Sequence, residues 1–371
     1  MKKILFVYGT RPEAIKLAPL VLEFKKYQDI FDVKVCLTGQ HRQMLDQVNS
    51  FFGIKADYDL NLMTPNQTLS SLTAKCIEAV SEILIKDPPS YVVVQGDTTT
   101  VMATSLAAYF CQIPVVHIEA GLRSGNKYSP FPEEINRIIA GHISHIHFAP
   151  TVKAKENLLA EGIKDRIFVV GNTVIDSLLL GLSIIENNDS KYSSFFSNID
   201  FTKRIILVTG HRRESFGKSF EEICYAIKDI IQCRSDVEII YPVHLNPNVQ
   251  EPVKRILAGI PRIHLIDPLD YPYLIWIMNK SYFVLTDSGG IQEEAPALAK
   301  PVLVMRDVTE RKEGIEAGTA RLVGSDRKRI RDEVLRLLDD TESYKRMSNA
   351  VNPYGDGTTS KKIVEIMKEQ A

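Results

Sequence analysis

The chain has 371 residues, 44% of them hydrophobic and 25% charged, which is enough apolar material for two globular domains and too much for a disordered chain. Acids and bases nearly cancel to a net charge of -1, so bulk charge draws it neither to nucleic acid nor to an anionic membrane, and an anionic ligand must be held locally. The cysteines Cys36, Cys76, Cys111, Cys224 and Cys233 form no CxxC pair and no apolar run is as long as a bilayer span, so the expectation is a soluble, cytoplasmic protein with free thiols.

In chain order, the apolar run 4–8 breaks at once into Thr10-Arg11-Pro12-Glu13, which marks a first strand and not a signal peptide. Strand-like runs at 33–38, 91–95, 115–118, 146–149 and 167–170 then alternate with helical patterns at 14–27, 40–52, 69–85 and 99–111. That alternation predicts a parallel, doubly wound α/β sheet. It breaks at 186–194, a polar stretch rich in Ser and Asn that reads as a surface segment or linker. A second alternation follows, with strands expected at 204–209, 237–241, 263–266, 282–286 and 301–305. The expected division is an N-terminal α/β domain at 1–175, a connecting segment at 176–203, a C-terminal α/β domain at 204–355 and a last amphipathic helix at 356–371. Two similar domains would face each other across a cleft.

The stretch Thr286-Asp287-Ser288-Gly289-Gly290-Ile291-Gln292-Glu293-Glu294 follows an apolar strand and opens a helix. Free amides and the positive end of the helix dipole suit a diphosphate there, glycine permits close approach, and Glu294 can accept from two ribose hydroxyls. An ordinary serine cap explains the same letters as well. Other strand ends are equally rich in chemistry: Arg11 and Lys16 after the first, Asp97 after 91–95, His117 and Glu119 at 115–118 and beyond, Glu133 and Glu134 opening a helix, and His211, Arg212 and Arg213 after 204–209. Each also has a plain explanation as a cap, a dipole partner or a solvated charge; their common placement at strand ends argues for function. Carboxylates gather in one half and cationic groups in the other. His142-x-x-His145-x-His147 is a poor metal set, since strand alternation sends neighbours to opposite faces, and His244 is ambiguous. No G-x-G-x-x-G follows the first strand and no G-x-x-x-x-G-K-[ST] occurs, so neither a usual nicotinamide site nor a P-loop is advertised and no cofactor is expected.

These residues carry a resemblance. Gly9 to Lys16, Thr38-Gly39-Gln40-His41, Gly96-Asp97-Thr98, His117 to Arg123, Phe131-Pro132-Glu133-Glu134, Asn136-Arg137, Gly210 to Glu214, Asp287 to Pro296, Thr309-Glu310-Arg311 and Asn352 to Gly357 resemble, along almost the whole chain, the non-hydrolysing UDP-N-acetylglucosamine 2-epimerases. The resemblance implies the two-domain GT-B arrangement, a homodimer, and interconversion of UDP-N-acetylglucosamine and UDP-N-acetylmannosamine for surface polysaccharides. By motif it assigns Arg11, Lys16, His211, Ser288, Gly289, Gly290, Glu294 and Arg311 to the nucleotide, and Asp97, Glu119, Glu133 and His211 to catalysis, with Asp97 and Glu119 also touching substrate. Some bacterial members carry a second UDP-N-acetylglucosamine as activator, which here would meet Gln40, His41, Gln43, Glu133, Arg212 and His244; where they have an Arg, this chain has Asn66. An epimerase of C3- or C6-modified UDP-sugars, a GT-B glycosyltransferase and a noncatalytic nucleotide-sugar sensor are the alternatives.

Overall fold

The computed structural model describes residues 1–39, 42–64 and 67–370, and for Arg42 and Gln43 the backbone alone. The chain forms two compact units, Met1–Ser177 joined by the segment from Tyr354 onward, and Leu178–Pro353. In the first, β1 (Lys2–Tyr8), β2 (Phe31–Leu37), β3 (Tyr58–Asp59), β4 (Tyr91–Gln95), β5 (Val115–Ile118), β6 (Ile146–Ala149) and β7 (Ile167–Val169) form one sheet in the order β3-β2-β1-β4-β5-β6-β7. Every pairing is parallel. All five residues of β4, Tyr-Val-Val-Val-Gln, are buried, as a strand covered on both faces by crossover helices requires.

The second unit repeats the plan with β8 (Arg204–Thr209), β9 (Val237–Pro242), β10 (Ile263–Ile266), β11 (Phe283–Thr286), β12 (Val302–Val304) and β13 (Ala320–Leu322), in the order β10-β9-β8-β11-β12-β13. Its core packs Ile206, Val208, Ile239 and Leu285 against Phe220 and Ile227 of the helix Lys218–Cys233, all essentially buried. Each such side chain contributes roughly 1.5–3 kcal/mol on burial, and together they fix the strand ends that carry the polar groups. The expected α/β class with two doubly wound sheets is therefore what the chain forms. In each sheet the chain lays three strands outward, then returns to the other side of the first. The loops diverge at β1/β4 and at β8/β11, the switch points where α/β sheets take ligands.

Two parts gain detail over the sequence reading. The stretch 186–194 is mostly exposed, as a surface segment is, and largely helical, ending the helix Thr173–Glu186 and forming the helix Asp189–Phe195. Asp189 accepts from Trp276 Nε1 at 2.7 Å, Tyr192 is buried, and Phe196 stacks on Trp276 with 5.2 Å between centroids. The spacing of 189, 192 and 196 is helical, and it is concealed by the polar letters between. The last helix, Thr359–Glu369, belongs to the first unit, where it packs on the helix Arg11–Phe24. Lys2 Nζ and Tyr91 Oη donate to the Gln370 carbonyl at 3.0 and 3.2 Å, and Lys368 sits 3.4 Å over the Tyr27 ring.

Candidate functional site

At the β1/β4 switch point, Glu13 ties two loops together. Its carboxylate accepts from Gly9 N at 3.2 Å, Thr10 N at 2.8 Å and Thr98 Oγ1 at 2.8 Å, and Thr98 is the cap of the helix Thr99–Phe110. Burial pushes its carboxyl up to about 6 against the pull of those hydrogen bonds. Asp97, between the two loops' anchor points, pairs with Arg137 Nη2, while its carbonyl takes Asn136 Nδ2 at 3.0 Å. Arg137 also lies 3.3 Å from Glu134, which in turn accepts from the Ser124 and Gly125 amides. Asp97 keeps Oδ1 clear of donors among the described residues and is partly exposed.

Glu119, just beyond β5, is the most constrained of the carboxylates. It has a φ of +63°, a left-handed conformation that costs an L-residue on the order of 1–3 kcal/mol and is held only by surrounding structure. Lys16 Nζ reaches both its oxygens at 2.8 and 2.6 Å, Gln95 Nε2 donates to Oε2, and Asn172 Nδ2 donates to Oε1 at 3.1 Å. With 4% of its side chain exposed, it has the Lys16 ammonium directly against it. Lys16, expected on the nucleotide, thus has its charge on Glu119. His117 is fully buried, and because Gly96 O can only accept, its Nε2 carries the proton in their 2.7 Å bond. Burial pushes it down to about 4, so it is a neutral strut under the Gly96–Asp97 turn. Glu133 opens the helix Glu133–Ile143, and its Oε2 is buried without a hydrogen-bond partner among the described residues. Arg11, at the start of its helix, has no ion-pair partner among them.

The second unit assembles a different surface at β8/β11. Asp287, 1% exposed, accepts from the His211 and Arg212 amides at 2.7 and 2.8 Å, so it ties the loop after β11 to the loop after β8. His211 Nδ1 lies 3.4 Å from Asp287 Oδ1 and its ring stacks on His244 with centroids 5.3 Å apart. Burial pulls the His211 imidazole below its ordinary range; Asp287 opposes this, and His244 and Arg212 add to it. Ser288 caps the helix Gly289–Ala297 through its backbone alone, with no side-chain bond to the first amides. A Cβ on Gly289 would stand 3.0 Å from Glu310 Oε1, 3.6 Å from Arg212 Nη2 and 3.7 Å from Arg311 Cζ. The helix start is therefore ringed by two guanidiniums, and Glu310 sits among them. Burial would raise the Glu310 carboxyl, but Arg311, its backbone bond, Arg306 and Arg212 outweigh that and carry it to about 2. Arg311 is aimed by Glu293, at 2.6 Å. Glu294 is buried one turn into the helix, and burial first, then the Glu294 charge and hydrogen bond, push the Tyr271 phenol far up.

The structure thus brings Lys16 to Glu119, and His211, Arg212, His244, Arg311 and the Ser288-Gly289-Gly290 turn into one second-unit cluster. Gln40, His41 and Asn66 lie outside the described residues, as does the Gln43 side chain. Sequence reasoning did not single out Asn172 or Tyr271, and it gave no role to Gln95, Arg137 or Glu293, which appear there only as letters in motifs. The histidines of the 142–147 run have separate engagements: His147 Nε2 bonds Gly141 O at 2.8 Å and His145 meets Arg166.

Comparison with known proteins gives one consistent answer. The profile of the family described as UDP-N-acetylglucosamine 2-epimerase matches residues 24–368. The UDP-N-acetylglucosamine 2-epimerase of Escherichia coli K12 is 55% identical over 370 residues, covering 99% of this chain and 98% of that one. Among solved structures, the UDP-GlcNAc 2-epimerase from Neisseria meningitidis bound to UDP-GlcNAc superposes with a TM-score of 0.92 at 47% identity, covering 99% of this chain and 100% of that chain. That from Methanocaldococcus jannaschii, in complex with UDP-GlcNAc and UDP, gives 0.82 at 36% identity, covering 99% of each.

Proposed function

The chain belongs to the UDP-N-acetylglucosamine 2-epimerase family, and from that premise we propose that it interconverts UDP-N-acetylglucosamine and UDP-N-acetylmannosamine by eliminating and re-adding UDP. The C2 hydrogen of an N-acetylhexosamine is not adjacent to a carbonyl, so a carboxylate cannot remove it directly. Breaking the bond from C1 to the diphosphate oxygen acidifies it. As that electron pair leaves with UDP, a base takes the C2 proton, the C2–H pair becomes the C1–C2 double bond, and 2-acetamidoglucal remains. Protonation of C2 from the opposite face and return of the UDP oxygen to C1 give the epimer.

The observation that carries this reading is the carboxylate set of the first unit, since a sensor needs none and a transferase needs one base. Glu119 opposes the positive charge that develops at C1. Asp97 and Glu133, each with an oxygen that no described donor engages, handle protons at the two faces. Departing diphosphate is received by the Ser288–Gly290 helix start with Arg311 and by His211. Glu294, beside Tyr271, accepts from the ribose hydroxyls in this reading. The same reading carries a homodimer working in the cytoplasm and supplying surface polysaccharide; no helix among the described residues is long and apolar enough to cross a membrane. It also carries a second UDP-N-acetylglucosamine as activator, bound more weakly because Asn66 replaces a cation, with Arg212 and His244 beside His211 as its contacts.

The test is incubation in heavy water with each UDP-sugar alone. Deuterium at C2 of the epimer, with free UDP and 2-acetamidoglucal accumulating on long incubation, is expected. Retained protium or dependence on added nicotinamide would overturn the mechanism, and absence of any epimer would overturn the function. In the run started from UDP-N-acetylmannosamine, full initial velocity with no response to added UDP-N-acetylglucosamine would remove the activator.

A further inference from the structure

We propose that Asn172 is a positioning residue through which the returning segment 354–360 sets the orientation and charge of Glu119. The inference rests on the reading of Glu119 as a carboxylate that acts on the sugar. Asn172 is 2% exposed and all its polar groups are engaged by different parts of the first unit. Its Oδ1 accepts from Val174 N at 3.1 Å and so caps the helix Thr173–Glu186. That bond fixes the amide's orientation and turns Nδ2 onto Glu119 Oε1. Its backbone N–H donates to Tyr354 O at 2.6 Å.

Around that last bond the two backbones approach closely, with the Thr359 hydroxyl as the nearest side-chain group. Gly171 has a φ of +99°, and a Cβ there would lie 2.7 Å from Thr359 Oγ1, 3.2 Å from Tyr354 O and 3.3 Å from Gly355 Cα. From the other side, Gly355 has a φ of +135°, and its Cβ would approach Thr359 Oγ1 at 3.3 Å and Asn172 N at 3.6 Å. Both positions demand glycine for conformation and for room. Four residues past Asn172, Asp176 accepts from the Thr359 and Ser360 amides at 3.3 and 2.7 Å and so caps the last helix. That helix packs on Arg11–Phe24, the helix that carries Lys16. Asn172 and Lys16, two of the donor side chains on Glu119, therefore stand on elements braced by the return segment; another, Gln95, ends β4.

A helix cap alone uses only Oδ1, which leaves Nδ2 free to face any acceptor or water. Here Nδ2 faces Glu119, a carboxylate held in a left-handed conformation. Hydrogen bonds to an anion lower its proton affinity, and a second carboxylate in the same place would raise it by forcing the two to share a proton. Of the charged and titratable groups near Glu119, Lys16 supplies the positive charge, and His117, two residues before it, stays neutral through the working range.

The experiment compares Asn172→Ser and Asn172→Asp with wild type, since both retain an oxygen that can cap at Val174. Initial epimerisation rates are measured across pH, with UDP affinity by calorimetry and folding by circular dichroism. For Asn172→Asp the acidic limb of the kcat profile moves up by about one pH unit or more, and kcat at neutral pH falls at least about tenfold, with UDP affinity within about twofold of wild type. Asn172→Ser shifts in the same direction by less. Gly355→Ala, which displaces Tyr354 O, produces the same kind of shift and tests the return segment itself; an unshifted limb there overturns the segment's part. Losses in kcat and KM together with an unmoved acidic limb in both Asn172 variants overturn the proposal in favour of a merely structural cap. If wild type does not epimerise, the functional reading falls. The 13C carboxylate titration of Glu119, assigned by its loss in Glu119→Gln, then decides the positioning claim without turnover: an upward shift in Asn172→Asp supports it and no shift overturns it.

Discussion

The two units solve the same structural problem with different reach. In each, a buried carboxylate cross-links the loops that diverge at a switch point, Glu13 between the loops after β1 and β4, and Asp287 between those after β11 and β8. What stands on the cross-link differs. The anion site proposed for the second unit is written largely in Ser288 to Glu294, because backbone amides and a helix dipole would do the work and need only a strand, a turn and a helix start. The first unit's Glu119 is tuned by side chains 103, 24 and 53 residues away in sequence. Holding a phosphate can be local; setting the proton affinity of a carboxylate requires donors from several loops.

The comparison is sharpened first by the carboxylates. Asp97→Asn, Glu119→Gln and Glu133→Gln should each lower kcat by about 10²–10⁴-fold while UDP titrations stay near wild type. Loss of UDP binding in these variants would mean that the division of labour between units is misdrawn. The second-unit counterpart is Glu294→Gln, for which UDP affinity should fall by about 1.5–3 kcal/mol with kcat largely kept, because charge-assisted bonds to ribose are lost. An unchanged calorimetric titration of the folded variant removes Glu294 from the site. The smallest effect concerns the cross-link. Glu13 has a folded pKa raised to about 6 by burial against an ordinary 4.5, so the folded state binds more protons between those values. Its contribution is fully present below 4.5 and is lost as pH rises through about 6. Relative to Glu13→Gln, wild type should therefore lose roughly 2 kcal/mol of stability between pH 4 and 7 in denaturant titrations. Parallel pH profiles for the two proteins would show that Glu13 is not desolvated as described.

Much of this was legible in the sequence where the signal was local. The long apolar strands announced both sheets, but β3 and β13, of two and three residues, have no run long enough to register. The helical form of 186–194 was not legible because serine and asparagine dominate its composition, while Tyr192, and Phe196 just beyond it, which decide its packing, are two letters among many. In the site, the resemblance placed Lys16 with the nucleotide, yet its nearest charge is Glu119. Glu293 and Glu294 are adjacent letters about 100° apart on a helix, and only coordinates separate the one that aims Arg311 from the one that meets Tyr271. Asn172 carried no signal at all, because an asparagine before a helix reads as a cap and its other bond depends on a strand end far upstream.

The return of the chain to its first unit also has a consequence in time. Residues 178–353 form a continuous unit, whereas the first unit lacks the segment from Tyr354 until those residues have been made. At the usual 5–20 residues per second, the stretch between Ser177 and Tyr354 alone takes about 10–35 s to synthesise. During that interval the β-sheet around Glu119 exists without the partner of Asn172 and without the helix that covers Arg11–Phe24. The half that carries Glu119 is thus completed only after residues 178–353 have been made.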